Sequence, residues 1–263
     1  MQPTSDADLR DLVTHVIDVS APQPFGAYAF ASGDPGADIA RHVERAVFLE
    51  AFGNTPELLA AEYGPYEATS VFLCVIDQRR RLPAGAMRLI IPTPGGPGLK
   101  SLNDFEAMWN DPATPHPPAM NTRHSPFTTW DIATLAVVEG YRAPGAAGLV
   151  SLGLYQSTVR TALTNGAKRF VAILDYTVYR MSRMQFGRPF VPLAAPRPYL
   201  GSEQSLPVSC DLRDWKRRLS AASSPVGEII FNGRGIEAAV RPVSQERRMA
   251  VVGALVARRG GAA

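Results

Sequence analysis

Apolar residues recur along this chain with two periods, and the places where the period changes mark its elements. Over residues 130–138 the run WDIATLAVV is rich in β-branched and apolar residues without an internal glycine or proline, which predicts a strand. EGYRAPGAAG then interrupts it, and from about Gly145 the spacing of Leu149, Leu152, Gly153 and Gln156 becomes helical. Upstream, Ile39, Val43, Val47 and Phe48 share one face of an amphipathic helix over residues 37–52, which Gly53 stops. Thr55-Pro56-Glu57 opens another helix by an N-cap and a first-turn proline.

Strands are predicted over residues 25–31, 69–77, 83–92 and 168–174, with the arginine run at 79–81 turning the second into the third. A short helix is expected at 6–19, one at 101–109, one at 175–186 ending at Gly187, and one after Asp211 as its cap. Short strands are expected at 188–192 and 206–210. The order mixes strands and helices in a βαβα core, an α/β class sheet. Residues 93–127, rich in proline, form a loop long enough to shape a binding site, or else a disordered insertion.

At 263 residues the chain suits one large domain, or one domain with extensions. A hydrophobic content of 46% is enough for a core. The net charge of +3 comes from dispersed clusters such as Arg79-Arg80-Arg81 and Lys216-Arg217-Arg218. No aromatic residues interleave them, so nucleic acid is not an expected partner. The acidic start lacks the apolar core of a signal peptide, and no run of about 18 apolar residues offers a membrane span. A cytoplasmic protein without a membrane partner is the expectation. Cys74 and Cys210 read as buried thiols, and the four histidines show no metal-ligand spacing.

The strand–turn–helix at 128–156 carries the candidate chemistry. Small residues at such a junction let backbone N–H groups approach an anion, and the helix dipole favours it. Arg142-Ala143-Pro144-Gly145-Ala146-Ala147 fits the pattern Gln/Arg-x-x-Gly-x-Gly/Ala, which either seats a pyrophosphate or is an ordinary strand–helix turn. No G-x-G-x-x-G or G-x-x-x-x-G-K-S/T occurs at the junction, which disfavours a nucleotide-binding protein.

That pattern marks the acyl-CoA loop of the GNAT acyltransferases, and the resemblance extends over roughly residues 40–215. The chain resembles the branch containing acyl-homoserine-lactone synthases and N-acyl amino acid synthases. It has Gly85-Ala86-Met87-Arg88-Leu89 for that branch's G-x-x-R-L, and Arg45-Ala46-Val47-Phe48, one residue shorter, where the branch has R-x-x-V-F. Leu102-Asn103-Asp104-Phe105 stands where the branch has L-x-D-x-F, one residue shorter, and Gly187-Arg188-Pro189 matches the late G-x-P. Trp130-Asp131-Ile132-Ala133-Thr134 stands where the branch has W-E-L-S-R. Asp131 and Thr134 depart from its glutamate and arginine, and Glu62 and Glu67 are loose counterparts of its paired acids, which puts lactone formation in doubt.

The resemblance implies a GNAT-like, mixed and mostly antiparallel sheet of about six to seven strands flanked by helices, splayed in a V at strands four and five. It implies a domain over 1–220 with the 93–127 insertion, followed by a helical extension over 221–263. The implied activity is transfer of an acyl group to a small amine, which attacks the thioester directly. The donor would be acyl-CoA, acetyl-CoA or acyl-carrier protein. No metal is implied, and a homodimer is admitted. A non-catalytic acyl-CoA or carrier-protein binding module is the alternative.

In that scheme the backbone of Leu135, Ala136 and Val137 pairs with pantetheine. Loop groups from Arg142, Ala143, Gly145, Ala146, Ala147 and Gly148 hold the phosphates. Asp131 is the candidate general base, or else a surface aspartate paired with an arginine. Arg88 binds a substrate carboxylate with its planar fork, or sends its head to solvent, and Trp130 is a further substrate-binding candidate. The place of the usual acid tyrosine falls at Ser182, leaving Tyr179, and Tyr176 behind it, as substitutes or as core tyrosines.

Overall fold

A computed structural model describes residues 5–17, 22–109, 128–142 and 147–260. Chain order runs α1 (Asp6–Val16), β1 (Phe25–Ala31), α2 (Ala37–Phe52), α3 (Pro56–Tyr63), β2 (Ser70–Asp77), β3 (Leu82–Ile90), α4 (Lys100–Trp109) and β4 (Thr129–Val137). It continues with α5 (Ala147–Thr164), β5 (Arg169–Asp175), α6 (Tyr176–Gln185), β6 (Val191–Pro192), β7 (Arg197–Tyr199), β8 (Ser202–Asp211), α7 (Leu212–Ala221), the one-turn α8 (Pro225–Gly227), β9 (Val240–Arg241) and α9 (Gln245–Gly260).

The strands form one sheet in the order β6-β8-β5-β4-β3-β2-β1-β9, with β7 on β8. All neighbours are antiparallel except β4–β5 and β1–β9. This is the mixed, mostly antiparallel sheet expected. Its nine strands exceed the expected six to seven because β7 and β9 are only three and two residues long, while β6 falls within the strand expected at 188–192. Pairs that short carry no readable alternation, and tertiary pairing alone fixes them.

Both faces of the sheet are covered, so β2 is apolar from Val71 to Ile76. Val71, Leu73 and Val75 meet Val150, Leu154 and Val159 of α5, while Phe72, Cys74 and Ile76 meet Ile39, Val43 and Val47 of α2. Gly53 ends α2 at φ +67°, the left-handed conformation glycine adopts without strain. At Gly85 a Cβ would lie 2.9 Å from both the Ala136 carbonyl oxygen and Val150 Cγ1, so only glycine lets α5 sit this close to β3. The segment after Ala221, expected as a helical extension, adds β9 to the sheet edge beside β1. It also buries Ile230, Phe231, Val251 and Leu255 in the same core as α5.

Candidate functional site

The parallel pairing of β4 with β5 lasts only from Thr129↔Arg169 to Asp131↔Val171, whereas β5 stays paired with β8 to Asp175. Beyond Asp131 the two strands part, which is the V-shaped splay expected. Val138 N–H donates to the Ala84 carbonyl across β3 at 3.0 Å, so alternate residues back along β4 turn their backbone groups toward β3. Ala133, Leu135 and Val137 therefore present theirs to the splay. The Tyr63 hydroxyl reaches the Ala133 carbonyl at 3.4 Å, and Arg142 Nε donates to the Val137 carbonyl at 2.7 Å. Leu135, between them, has its backbone pair aimed into the gap.

Two clefts meet in this gap and share Phe52, Leu135 and Val178. The outer one, about 260 Å³, runs between β4, α5 and α6 past Val137, Arg142, Ser151 and Tyr155. The inner one, about 90 Å³, lies in the crotch against Tyr63, Thr134, Asp175 and Tyr199. A hollow of about 370 Å³ over β1 is larger, but an Arg247–Asp34 ion pair and an Arg247–Ala29 carbonyl bond already occupy its polar groups. It lies at the edge of the sheet, away from the splay. The splay is the better candidate because it joins an apolar wall to unpaired backbone groups.

Two ion clusters back the inner cleft. Arg88 is buried and holds Glu44 with two bonds, Nε–H at 2.9 Å and Nη2–H at 2.5 Å, while its Nη1–H donates to Glu67 at 2.8 Å. Thr134 donates its hydroxyl to Glu44 at 2.6 Å, and Arg41 pairs with Glu67 and Asp38. In the second cluster Lys100 reaches Glu62 at 2.6 Å, Asp104 at 2.5 Å and the Tyr199 hydroxyl at 3.0 Å. Burial works against both cations. Glu44 and Glu67 nevertheless hold Arg88 charged, and Asp104 and Glu62 do the same for Lys100.

The structure brings only some of the sequence candidates together. Leu135, Val137 and Arg142 line the outer cleft. Ala136 points into the core with α2. Arg142 also pairs with Glu50 through Nη1–H at 3.0 Å. Ala143, Gly145 and Ala146 lie outside the described residues; Ala147 opens α5, followed by exposed Gly148.

Arg88 does not send its head to solvent. Glu44 fills the fork proposed for a substrate carboxylate. Trp130 is a core residue at 1% exposure and lines neither cleft. Tyr179 is likewise packed in the core, while Ser182 reaches the outer cleft with its hydroxyl donated to the Tyr179 carbonyl at 2.7 Å.

Asp131 is fully buried and is not part of either cleft wall. It accepts from Ser101 N–H and from the Ser101 hydroxyl, both at 2.7 Å, and so ties the start of α4 to β4. Burial raises its pKa to about 7, against the Ser101 bonds and Lys100, which lower it. A carboxyl raised on folding is stabilising when protonated, and that contribution disappears as pH climbs through the folded value. Thermal melts should therefore show stability falling as pH rises from about 4 to about 7, by on the order of a few kcal/mol. In Asp131→Asn, whose Oδ1 still accepts from Ser101 N–H and whose NH2 can donate to the Ser101 hydroxyl, this slope should flatten; an unchanged slope would assign the effect to another group.

Sequence reading missed Glu44, Tyr63, Lys100 and Asp175. Glu44 had a signal: it sits within the apolar stripe of α2, one turn from Ala40 and Val47. Asp175 caps α6 by accepting from Thr177 and Val178 N–H, and it accepts the Ser202 hydroxyl at 2.8 Å on the inner cleft wall.

Among solved structures, the chain resembles FeeM, an N-acyl amino acid synthase from uncultured soil microbes. The TM-score is 0.53 at 12% identity, over 78% of this chain and 97% of that one. A CoA-dependent acyl-homoserine lactone synthase, BjaI, aligns at TM-score 0.48 and 18% identity over 76% and 90% of the two chains. Ard1 from Thermoplasma volcanium aligns at 0.44 and 11%, over 72% and 97%. No protein-family model matches this chain, and neither does any curated protein. The FeeM likeness at this identity is one of fold, and it agrees with the GNAT-like sheet and splay described above.

Proposed function

We propose that this protein is a GNAT-type acyltransferase. It binds an acyl thioester of CoA or of an acyl-carrier protein in the splay and passes the acyl group to a small amine, an amino acid derivative being the class FeeM suggests. One observation carries the proposal: at Leu135 a backbone N–H and C=O face an apolar cleft where no strand among the described residues pairs with them. A chain with alternating amides, such as the pantetheine arm, can complete that edge as an added strand. Arg142 and the start of α5 lie at the outer end, where the phosphates would sit.

The reaction asks little covalent chemistry of the protein. The amine nitrogen attacks the thioester carbonyl, the C–S bond breaks, the nitrogen gives up a proton, and the departing thiolate gains one. Asp175 is the carboxylate on the cleft wall and is placed to hold the incoming ammonium or accept its proton.

A thermal-shift series with CoA, acetyl-CoA and longer acyl-CoAs tests the reading. Donor at 100 times its Kd should add about 2.7 kcal/mol of stability. Stabilisation growing with chain length would favour a long-chain donor, and stabilisation by acetyl-CoA alone a short one. Absence of any shift with the CoA compounds and with an acyl-carrier protein would sink the proposal.

A further inference from the structure

We infer that Tyr63 supplies the hydrogen bond that holds the carbonyl oxygen of the acyl donor as it becomes an oxyanion. The inference rests on the acyl-donor reading above and deepens it. Tyr63 ends α3, is only 3% exposed, and lines the crotch where β4 leaves β5. Its hydroxyl is held less firmly than those of Thr134, Ser202 and Tyr199 on that wall. Thr134 donates to Glu44 at 2.6 Å, Ser202 to Asp175 at 2.8 Å, and Tyr199 to Asp104. The Tyr63 hydroxyl has only the Ala133 carbonyl, at 3.4 Å, a long bond that is easily exchanged for a better acceptor.

That position lies on the same edge of β4 as the Leu135 N–H. An oxygen seated in the crotch can therefore accept from a backbone donor and a phenol together. Two cations lie over the Tyr63 ring and fix its position: Arg88 is 4.9 Å and Lys100 5.2 Å from the ring centroid. Both are locked by carboxylates, so their charge is fixed in place before any ligand arrives. Burial, with Glu44 beside it, pushes the phenol well above its ordinary range, so it stays protonated and donates.

During transfer the amine nitrogen bonds to the carbonyl carbon, and the C=O π electrons move to oxygen. Tyr63 and Leu135 N–H hold that oxygen until the electrons return and the thiolate leaves. Tyr63 keeps its proton throughout. This assigns the ion clusters a purpose that does not involve touching substrate: their cations hold the tyrosine ring in place.

The test needs no knowledge of the amine. S-(3,3,3-trifluoro-2-oxopropyl)-CoA, whose hydrated ketone mimics the tetrahedral oxyanion, is compared with CoA by calorimetric titration of wild type and Tyr63→Phe. Loss of one oxyanion donor should weaken ketone binding by about 100-fold, with CoA affinity unchanged. Equal affinity of both proteins for the ketone would overturn the inference while leaving the acyl-donor reading intact. Failure of wild type to bind either compound, and to bind an acyl-carrier protein bearing the same ketone on its phosphopantetheine, would remove both. A crystal structure of wild type with the ketone gives a second reading should Tyr63→Phe not fold. Tyr63 Oη is expected within hydrogen-bond distance of the hydrate; Oη still on the Ala133 carbonyl would overturn it.

Discussion

Arg88→Ala should destabilise this protein by about 3–5 kcal/mol, because it strands a buried carboxylate. Glu44 has 4% of its side chain exposed and is held by Arg88 and the Thr134 hydroxyl. Without the guanidinium its charge would remain in the interior with one neutral donor. For a chain of this size that is a fall of roughly 10 °C in melting temperature. The charge-free pair Glu44→Gln with Arg88→Met should recover most of the loss, since a buried ion pair is often matched by neutral groups of similar volume. A melting temperature within about 2 °C of wild type for Arg88→Ala would mean that Glu44 takes up its proton at little cost. It would also reopen Arg88 as a substrate-binding group.

Arg88 also shows where sequence reading stops. Its place on β3 was legible, because Ala86, Met87, Leu89 and Ile90 around it are apolar and predict a strand. Its partners were not, since Glu44 and Glu67 come from another helix and from the turn after α3. Asp131 failed in the same way: its position on β4 was readable, but Ser101 reaches it from the long insertion. The β4–α5 junction was the clearest feature because period, breaker and small residues agree there over one continuous stretch. Helix α2 was legible to the residue, since its apolar stripe and Gly53 are both local. Tyr63 was hidden because an aromatic at the end of a short helix reads as core. Only the folded chain shows its hydroxyl against an unpaired strand edge.

Ser151→Trp should abolish donor binding while leaving the fold in place. Ser151 lies on α5, half-buried, on the wall of the 260 Å³ outer cleft opposite Leu135 and Val137. Tryptophan and serine have similar helix propensities, and the new indole has an open cleft to enter instead of a packed core. The stability cost should therefore stay near ~1 kcal/mol. A ring in that space would cover the Leu135 backbone edge and exclude an extended pantetheine arm. The roughly 2.7 kcal/mol of stabilisation expected from saturating donor would vanish, along with acyl transfer. Because Ser151 takes no part in either ion cluster and carries no proton for the reaction, lost binding would report on occupancy of this cleft alone. Full stabilisation by donor in Ser151→Trp would place the thioester elsewhere, and Leu135 would then need another partner for its backbone groups.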